Sequence, residues 1–125
     1  MAAVVISIVD DDPSIRVATD TLVRSLGYLA YTFASAEEFL RSPQADNSDC
    51  LIADIQMPGM SGLELQKALL ARGRRIPVIF ITAFPDANVE SQAMKGGAVG
   101  FFSKPFDAVA LTERIAAALA PKGSA

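Results

Sequence analysis

The sequence predicts an α/β domain built on a single doubly wound, five-stranded parallel sheet. Apolar runs recur at 4–9, 28–33, 49–53, 77–82 and 99–102, each of strand length. The intervals between them carry helix start and stop signals. Strands alternating with helices in this way require right-handed crossovers and helical layers on both sheet faces, because parallel strands cannot be joined by hairpins.

The first run, Val4–Val9, ends on Asp10-Asp11-Asp12. Asp12-Pro13 supplies an N-cap and a first-turn proline for a first helix. Ile15, Ala18, Leu22 and Leu26 share one face of it, and Gly27 ends it. After the second run, Ser35-Ala36-Glu37-Glu38 has capping-box spacing, in which serine and glutamate satisfy each other's backbone donors, and a second helix follows. The third run, Cys50-Leu51-Ile52-Ala53, leads into Asp54, and Ser61-Gly62-Leu63-Glu64 repeats the capping-box spacing for a third helix. Arg72, Arg74 and Arg75 fall at the end of that helix, where cations complement its exposed carbonyls. The fourth run stops at Thr82, and Asp86 begins a fourth helix that Gly96-Gly97 ends. Lys104 stands just past the fifth run, and Asp107 begins a fifth helix with an apolar stripe of Leu111, Ile115, Ala118 and Leu119. By analogy with known doubly wound sheets, the natural strand order for five such units is the flavodoxin-like 2-1-3-4-5. Residues 1–120 form the expected domain, and 121–125 read as a tail or the start of a linker.

A length of 125 residues with 51% hydrophobic and 20% charged residues describes one domain able to bury a core. The net charge of -3 and the lack of a Lys/Arg tract argue against nucleic-acid contact by this domain itself. Cys50 is the only cysteine, which excludes an internal disulfide framework and suits a reducing cytoplasm; it reads as a small buried hydrophobe. No apolar run approaches the length that spans a bilayer, so neither membrane contact nor secretion is expected.

Open parallel sheets gather ligands outside the carboxyl ends of their strands, so Asp10, Asp11 and Asp54 are expected to converge. Three carboxylates about 5 Å apart, at an effective dielectric of about 20, repel by roughly 3 kcal/mol per pair. A divalent ion offsets that repulsion. The chain has no histidine and its single cysteine lies within a strand, so the oxygen-rich set points to Mg²⁺ or Mn²⁺ rather than zinc. Lys104 would then be a fixed positive charge for an anion, with the Thr82 hydroxyl as a further donor. Taken singly, Asp12 is a helix cap, Thr82 a β-branched strand residue, Lys104 a solvated cation and Asp54 a turn cap. Their joint placement at successive strand ends is what describes a phosphoryl site.

Asp10-Asp11, Asp54 followed by Met57-Pro58-Gly59-Met60-Ser61-Gly62, Thr82-Ala83 and Lys104-Pro105-Phe106 together resemble the receiver domain of two-component response regulators over nearly the whole chain. Met94-Lys95-Gly96-Gly97-Ala98 and Lys104-Pro105-Phe106-Asp107 look closest to the FixJ type of transcriptional regulator. The resemblance implies that Asp54 takes a phosphoryl group from a phosphohistidine on a sensor histidine kinase, giving an acyl phosphate. Asp11, Asp54 and the backbone carbonyl of Gln56 would bind Mg²⁺ directly, with Asp10 acting through water. Thr82 and Lys104 would contact the phosphoryl oxygens, helped by the amide of Ala83, and Phe101 would be the aromatic switch. The implied output surface is the fourth helix, fifth strand and fifth helix, with Gln92, Lys95, Ser103 and Glu113 as exposed contacts. By the period-two rule Phe101 and Phe102 point to opposite faces. The resemblance further implies a phosphorylation-dependent homodimer feeding an attached DNA-binding domain, or else a stand-alone phosphorelay or protein-binding regulator.

Two other classes fit less well. A Mg²⁺-dependent phosphohydrolase of the haloacid-dehalogenase type would need an acid two positions after its nucleophile, where this chain has Gln56. A flavodoxin-like electron carrier would need a hydroxyl- and glycine-rich phosphate loop in place of Asp10-Asp11-Asp12. Phe84 and Pro85 stand where FixJ-type chains often carry a smaller or polar loop, and Phe84 and Gln56 both border the path of attacking water. Bulky Phe84 is therefore expected to slow loss of phosphate. Phe84→Ala shortens the phosphoryl lifetime measured by radiolabel decay, and an unchanged or longer lifetime contradicts the expectation.

Overall fold

The computed structural model describes residues 3–120, so the expected tail or linker at 121–125 lies outside the described residues. Strands β1 (Val5–Val9), β2 (Leu29–Phe33), β3 (Cys50–Asp54), β4 (Val78–Thr82) and β5 (Gly100–Ser103) form one parallel sheet in the order β2-β1-β3-β4-β5. This is the expected order. Helices α1 (Pro13–Ser25), α2 (Ala36–Leu40), α3 (Gln44–Asn47), α4 (Gly62–Ala71), α5 (Ala87–Lys95) and α6 (Ala108–Leu119) complete the described fold. One more helix is present than expected. It is the single turn α3, which brings Ala45 to zero exposure and has no side-chain cap to announce it.

Every residue of β3 and β4 is buried, so their side chains must fill two cores, one on each face. On one face Leu51, Ala53, Val78 and Phe80 pack with Phe39 of α2, Leu65 and Leu69 of α4 and Ala93 of α5. On the other, Cys50, Ile52, Ile79 and Ile81 pack with Val23 of α1 and Leu111 and Ile115 of α6. Each of these larger aliphatic side chains contributes about 1.5–3 kcal/mol on full burial. Cys50 is the small buried hydrophobe expected, and burial pushes its thiol up to about 12.

Local signals are met with three corrections. Asp12 caps α1 by accepting from the Ser14 amide at 2.9 Å. The buried stripe of α1, however, runs through Thr19 and Val23, while Ala18 is exposed. Thr19 is tolerated inside because its hydroxyl donates to the Ile15 carbonyl at 2.7 Å, leaving only its methyl to pack. The capping box at Ser61 and Glu64 is complete, but at Ser35 only half forms, because Glu38 accepts from the Ala34 amide instead. Arg72 and Arg74 do not serve the end of their own helix. They donate to the carbonyls of Leu40 in α2 and Ala45 in α3, at 3.2 and 3.3 Å. The short helices leave carbonyls within reach, and long guanidinium stems span the gap.

One glycine positions the edge where β3 ends. Gly62, the first residue of α4, donates its amide to the Ile55 carbonyl at 2.8 Å, and a Cβ there would lie 2.2 Å from the Asp54 carbonyl oxygen. Backbone cannot yield to such a contact as a side chain could. Gly73, by contrast, has a positive φ, +76, and open space around its Cβ position. Gly62→Ala therefore lowers stability by about 3 kcal/mol in urea unfolding, against about 1 kcal/mol for Gly73→Ala, whose only penalty is backbone conformation.

Candidate functional site

Because all five strands run parallel, their carboxyl ends share one edge. Asp10 follows β1, Asp54 ends β3, Thr82 ends β4 and Lys104 follows β5. The chain leaves β1 for β2 on one side and reaches β3 on the other, so the β1/β3 boundary is where strand order reverses and a crevice opens. The acids stand there, and the structure brings four strand ends widely separated in sequence to one edge.

Carboxylate oxygens of Asp10, Asp11 and Asp54 lie within 4.8 Å of one another. Asp10 and Asp54 are buried, whereas Asp11 is exposed. The Lys104 ammonium reaches between the buried pair, 3.1 Å from Asp54 Oδ2 and 3.2 Å from Asp10 Oδ2. Its peptide bond to Pro105 is cis. Asp10 Oδ1 also accepts from the Asp12 amide at 2.8 Å, and Asp54 Oδ1 is buried with no hydrogen-bond partner among the described residues.

One cation does not balance this set. Burial pushes the Asp54 carboxyl up to about 6, the Asp10 charge adds to the rise, and Lys104 opposes it. Asp10 is raised too, chiefly by burial, against the Asp12 amide and Lys104. For Lys104 burial alone acts downward, but its hydrogen bond to Asp54 and the charge of Asp10 outweigh it and the pKa is raised. An all-oxygen donor set with one orphaned buried oxygen fits a hard divalent cation such as Mg²⁺ or Mn²⁺.

The Thr82 hydroxyl is buried, donates to the Gln56 side-chain oxygen and accepts from the Phe84 amide at 3.1 Å. Ala83 is exposed beside it, and Phe84, whose amide donates into the site, is itself 71% exposed. Phe101 is half-buried and packs with the core of α2, α4 and α5, while Phe102 packs on the opposite face, as the period of two requires. Gln92, Lys95, Ser103 and Glu113 are all exposed.

Two contacts had no sequence signal. Arg16 donates to the Asp10 carbonyl at 2.7 Å, bracing the acidic turn from α1. Glu37 accepts from the Met60 amide at 3.0 Å, tying α2 to the loop after Asp54. An acid in a first helical turn is ordinary, and nothing in the local pattern names a partner on another loop.

Residues 6–116 match the response regulator receiver domain family, and the chain belongs to it. It is 44% identical over 117 residues to the response regulator protein TodT of Pseudomonas putida, covering 94% of this chain and 52% of TodT. It is 38% identical over 114 residues to the transcriptional regulatory protein FixJ of Azorhizobium caulinodans, covering 91% of this chain and 54% of FixJ. The chain thus spans about half the length of these curated relatives. The crystal structure of FixJ-N superposes with a TM-score of 0.83 at 35% identity, covering 95% of each chain. Among the described residues no helix is long and apolar enough to cross a membrane.

The Asp54 shift fixes a sign for stability against pH. Its folded pKa, about 6, lies above the ordinary 3.8, so the stabilisation it gives is fully present below about pH 4 and is lost as pH rises through 6. The full effect is about 3 kcal/mol. In chelator, raising the pH from 4 to 7 lowers the melting temperature of the wild type more than that of Asp54→Asn, and Mg²⁺ at pH 7 reverses that loss.

Proposed function

We propose that this domain is a phosphorylation-dependent switch that accepts a phosphoryl group on Asp54 from the phosphohistidine of a sensor histidine kinase. The observation that carries this reading is the meeting of Asp10, Asp11, Asp54 and Lys104 around a buried, unpartnered Asp54 oxygen. With one Asp54 oxygen given to the ion, the other attacks phosphorus. A new O–P bond forms on Asp54, the P–N bond to imidazole breaks and imidazole departs. No general base is needed, because the attacking form is the carboxylate itself.

Asp11, Asp54 and the Gln56 carbonyl would hold Mg²⁺ or Mn²⁺ directly and Asp10 through water, and the bound ion would neutralise charge on the transferring phosphoryl oxygens. Lys104, already 3.1 Å from Asp54 Oδ2, pairs with the phosphoryl group as it arrives. Little beyond positioning is then asked of the protein. Thr82 exchanges Gln56 for a phosphoryl oxygen, the Ala83 amide adds a donor, and the movement of Thr82 leaves room for Phe101 to turn inward. The dianion thereby favours a second arrangement of α5, β5 and α6, the face that carries Gln92, Lys95, Ser103 and Glu113.

The relatives of twice this length, one of them a transcriptional regulatory protein by name, support an output domain joined to this one. In that reading phosphorylation promotes homodimerisation through the repacked face, and any DNA contact belongs to the other domain. Gln56, not an acid, two positions after Asp54 argues against a turnover phosphohydrolase.

Incubation with Mg²⁺ and acetyl phosphate, followed by intact mass, tests the assignment. One phosphoryl adduct forms on the wild type and none on Asp54→Asn, and none forms in chelator. Lys104→Met reduces the rate of labelling by about 100-fold, as loss of one charge donor to a transition state does. An adduct that persists in Asp54→Asn places the chemistry elsewhere.

A further inference from the structure

We propose that Glu37, on α2, is a positioning residue that holds the loop following Asp54 and with it the Gln56 carbonyl offered to the metal. The inference rests on the receiver chemistry proposed above. Glu37 Oε2 accepts from the Met60 amide at 3.0 Å across a sequence separation of 23. Among the described residues this is the one hydrogen bond that the backbone of residues 57–60 makes. The neighbouring residue is shaped to allow it: Gly59 has φ +77, and a Cβ there would stand 2.6 Å from the same Glu37 oxygen. The Glu37 amide and the Met60 amide hold the Glu37 carboxyl below its usual range, so an ionised acceptor faces the loop at neutral pH.

The rest of the loop is fastened locally. Gly62 closes it on the Ile55 carbonyl at 2.8 Å, and Glu64 takes the Ser61 amide at 2.9 Å. Those contacts fix the entry into α4; between Ile55 and Ser61 the segment is held by the Gln56 side chain on Thr82, by Met57 in the core and, at its backbone, by Glu37. Glu37 supplies the backbone anchor, tying Met60 to a helix packed on the core through Ala36 and Phe39. Outer contacts of this kind govern metal affinity by orienting the groups that touch the ion.

The test uses Mn²⁺ alone, with the free ion counted by paramagnetic resonance on the whole chain. The wild type binds Mn²⁺, and Asp54→Asn weakens that binding. Glu37→Met, which keeps the length but cannot accept from Met60, weakens it about tenfold, whereas Glu37→Gln, which can still accept, stays within about threefold. Gly59→Ala, whose methyl displaces the carboxylate, shows the same loss as Glu37→Met. Far-UV circular dichroism identifies any variant that does not fold, and the remaining ones decide. Wild-type affinity in Glu37→Met or Gly59→Ala, or a Glu37→Gln as weak as Glu37→Met, overturns the role of Glu37. A wild type that binds no Mn²⁺ fails at the receiver reading itself.

Discussion

Three carboxylates held within 4.8 Å at the edge of a buried sheet, with a single ammonium between two of them, set a charge imbalance that the surrounding elements serve to maintain. Ionised acids at that spacing repel by about 3 kcal/mol per pair at an effective dielectric of about 20. A folded chain would ordinarily relieve this by turning an acid to water, but Asp54 ends a strand whose every residue is buried and Asp10 is itself buried at the end of β1. Gly62 lets α4 start against the Asp54 carbonyl, Arg16 braces the Asp10 carbonyl, and Lys104 supplies only part of the missing charge. The pocket is short of positive charge by construction, which suits a cation and then a phosphoryl group bound on it.

The same sheet offers a route from charge to shape. Thr82 pairs in register with Ser103, and Phe101 pairs with Phe80, so the site and the proposed switch aromatic are on adjacent strands. In the proposed mechanism movement at Thr82 is felt one strand away, in a core too closely packed to absorb it gradually. Gln66 of α4, nearly fully buried, donates to the Ala93 carbonyl of α5 at 2.9 Å and fills the space beside Gly96. In the proposed mechanism α5 therefore responds from its N-terminal end, nearest Thr82, while its C-terminal half stays fastened to α4.

Much of this was legible in the residues because the signals were redundant. Apolar runs, Asp-Pro and Ser-x-x-Glu starts and Gly-Gly stops agreed on one strand and helix alternation, and parallel strands then forced Asp10, Asp54, Thr82 and Lys104 to one edge. The failures have local causes. Thr19 entered the core by folding its hydroxyl back on the helix, and so rotated the α1 stripe away from Ala18. A one-turn helix at 44–47 has too few residues to show a period. Arg72, Arg74 and Glu37 bind carbonyls and amides on other elements, and backbone groups carry no side-chain identity for a sequence pattern to reveal. The Gln56 to Thr82 bond joins two residues singled out separately, but their pairing required the loop path.

Beryllofluoride, a stable stand-in for a phosphoryl group, provides the most direct measurement when titrated with Mg²⁺ while backbone amide shifts are followed by nuclear magnetic resonance. The account predicts saturable changes that begin at residues 54, 82 and 104 and extend through Phe101 to Gln92 and Lys95, and that vanish in Asp54→Asn. Changes confined to the acidic edge, or equal changes in Asp54→Asn, would contradict it.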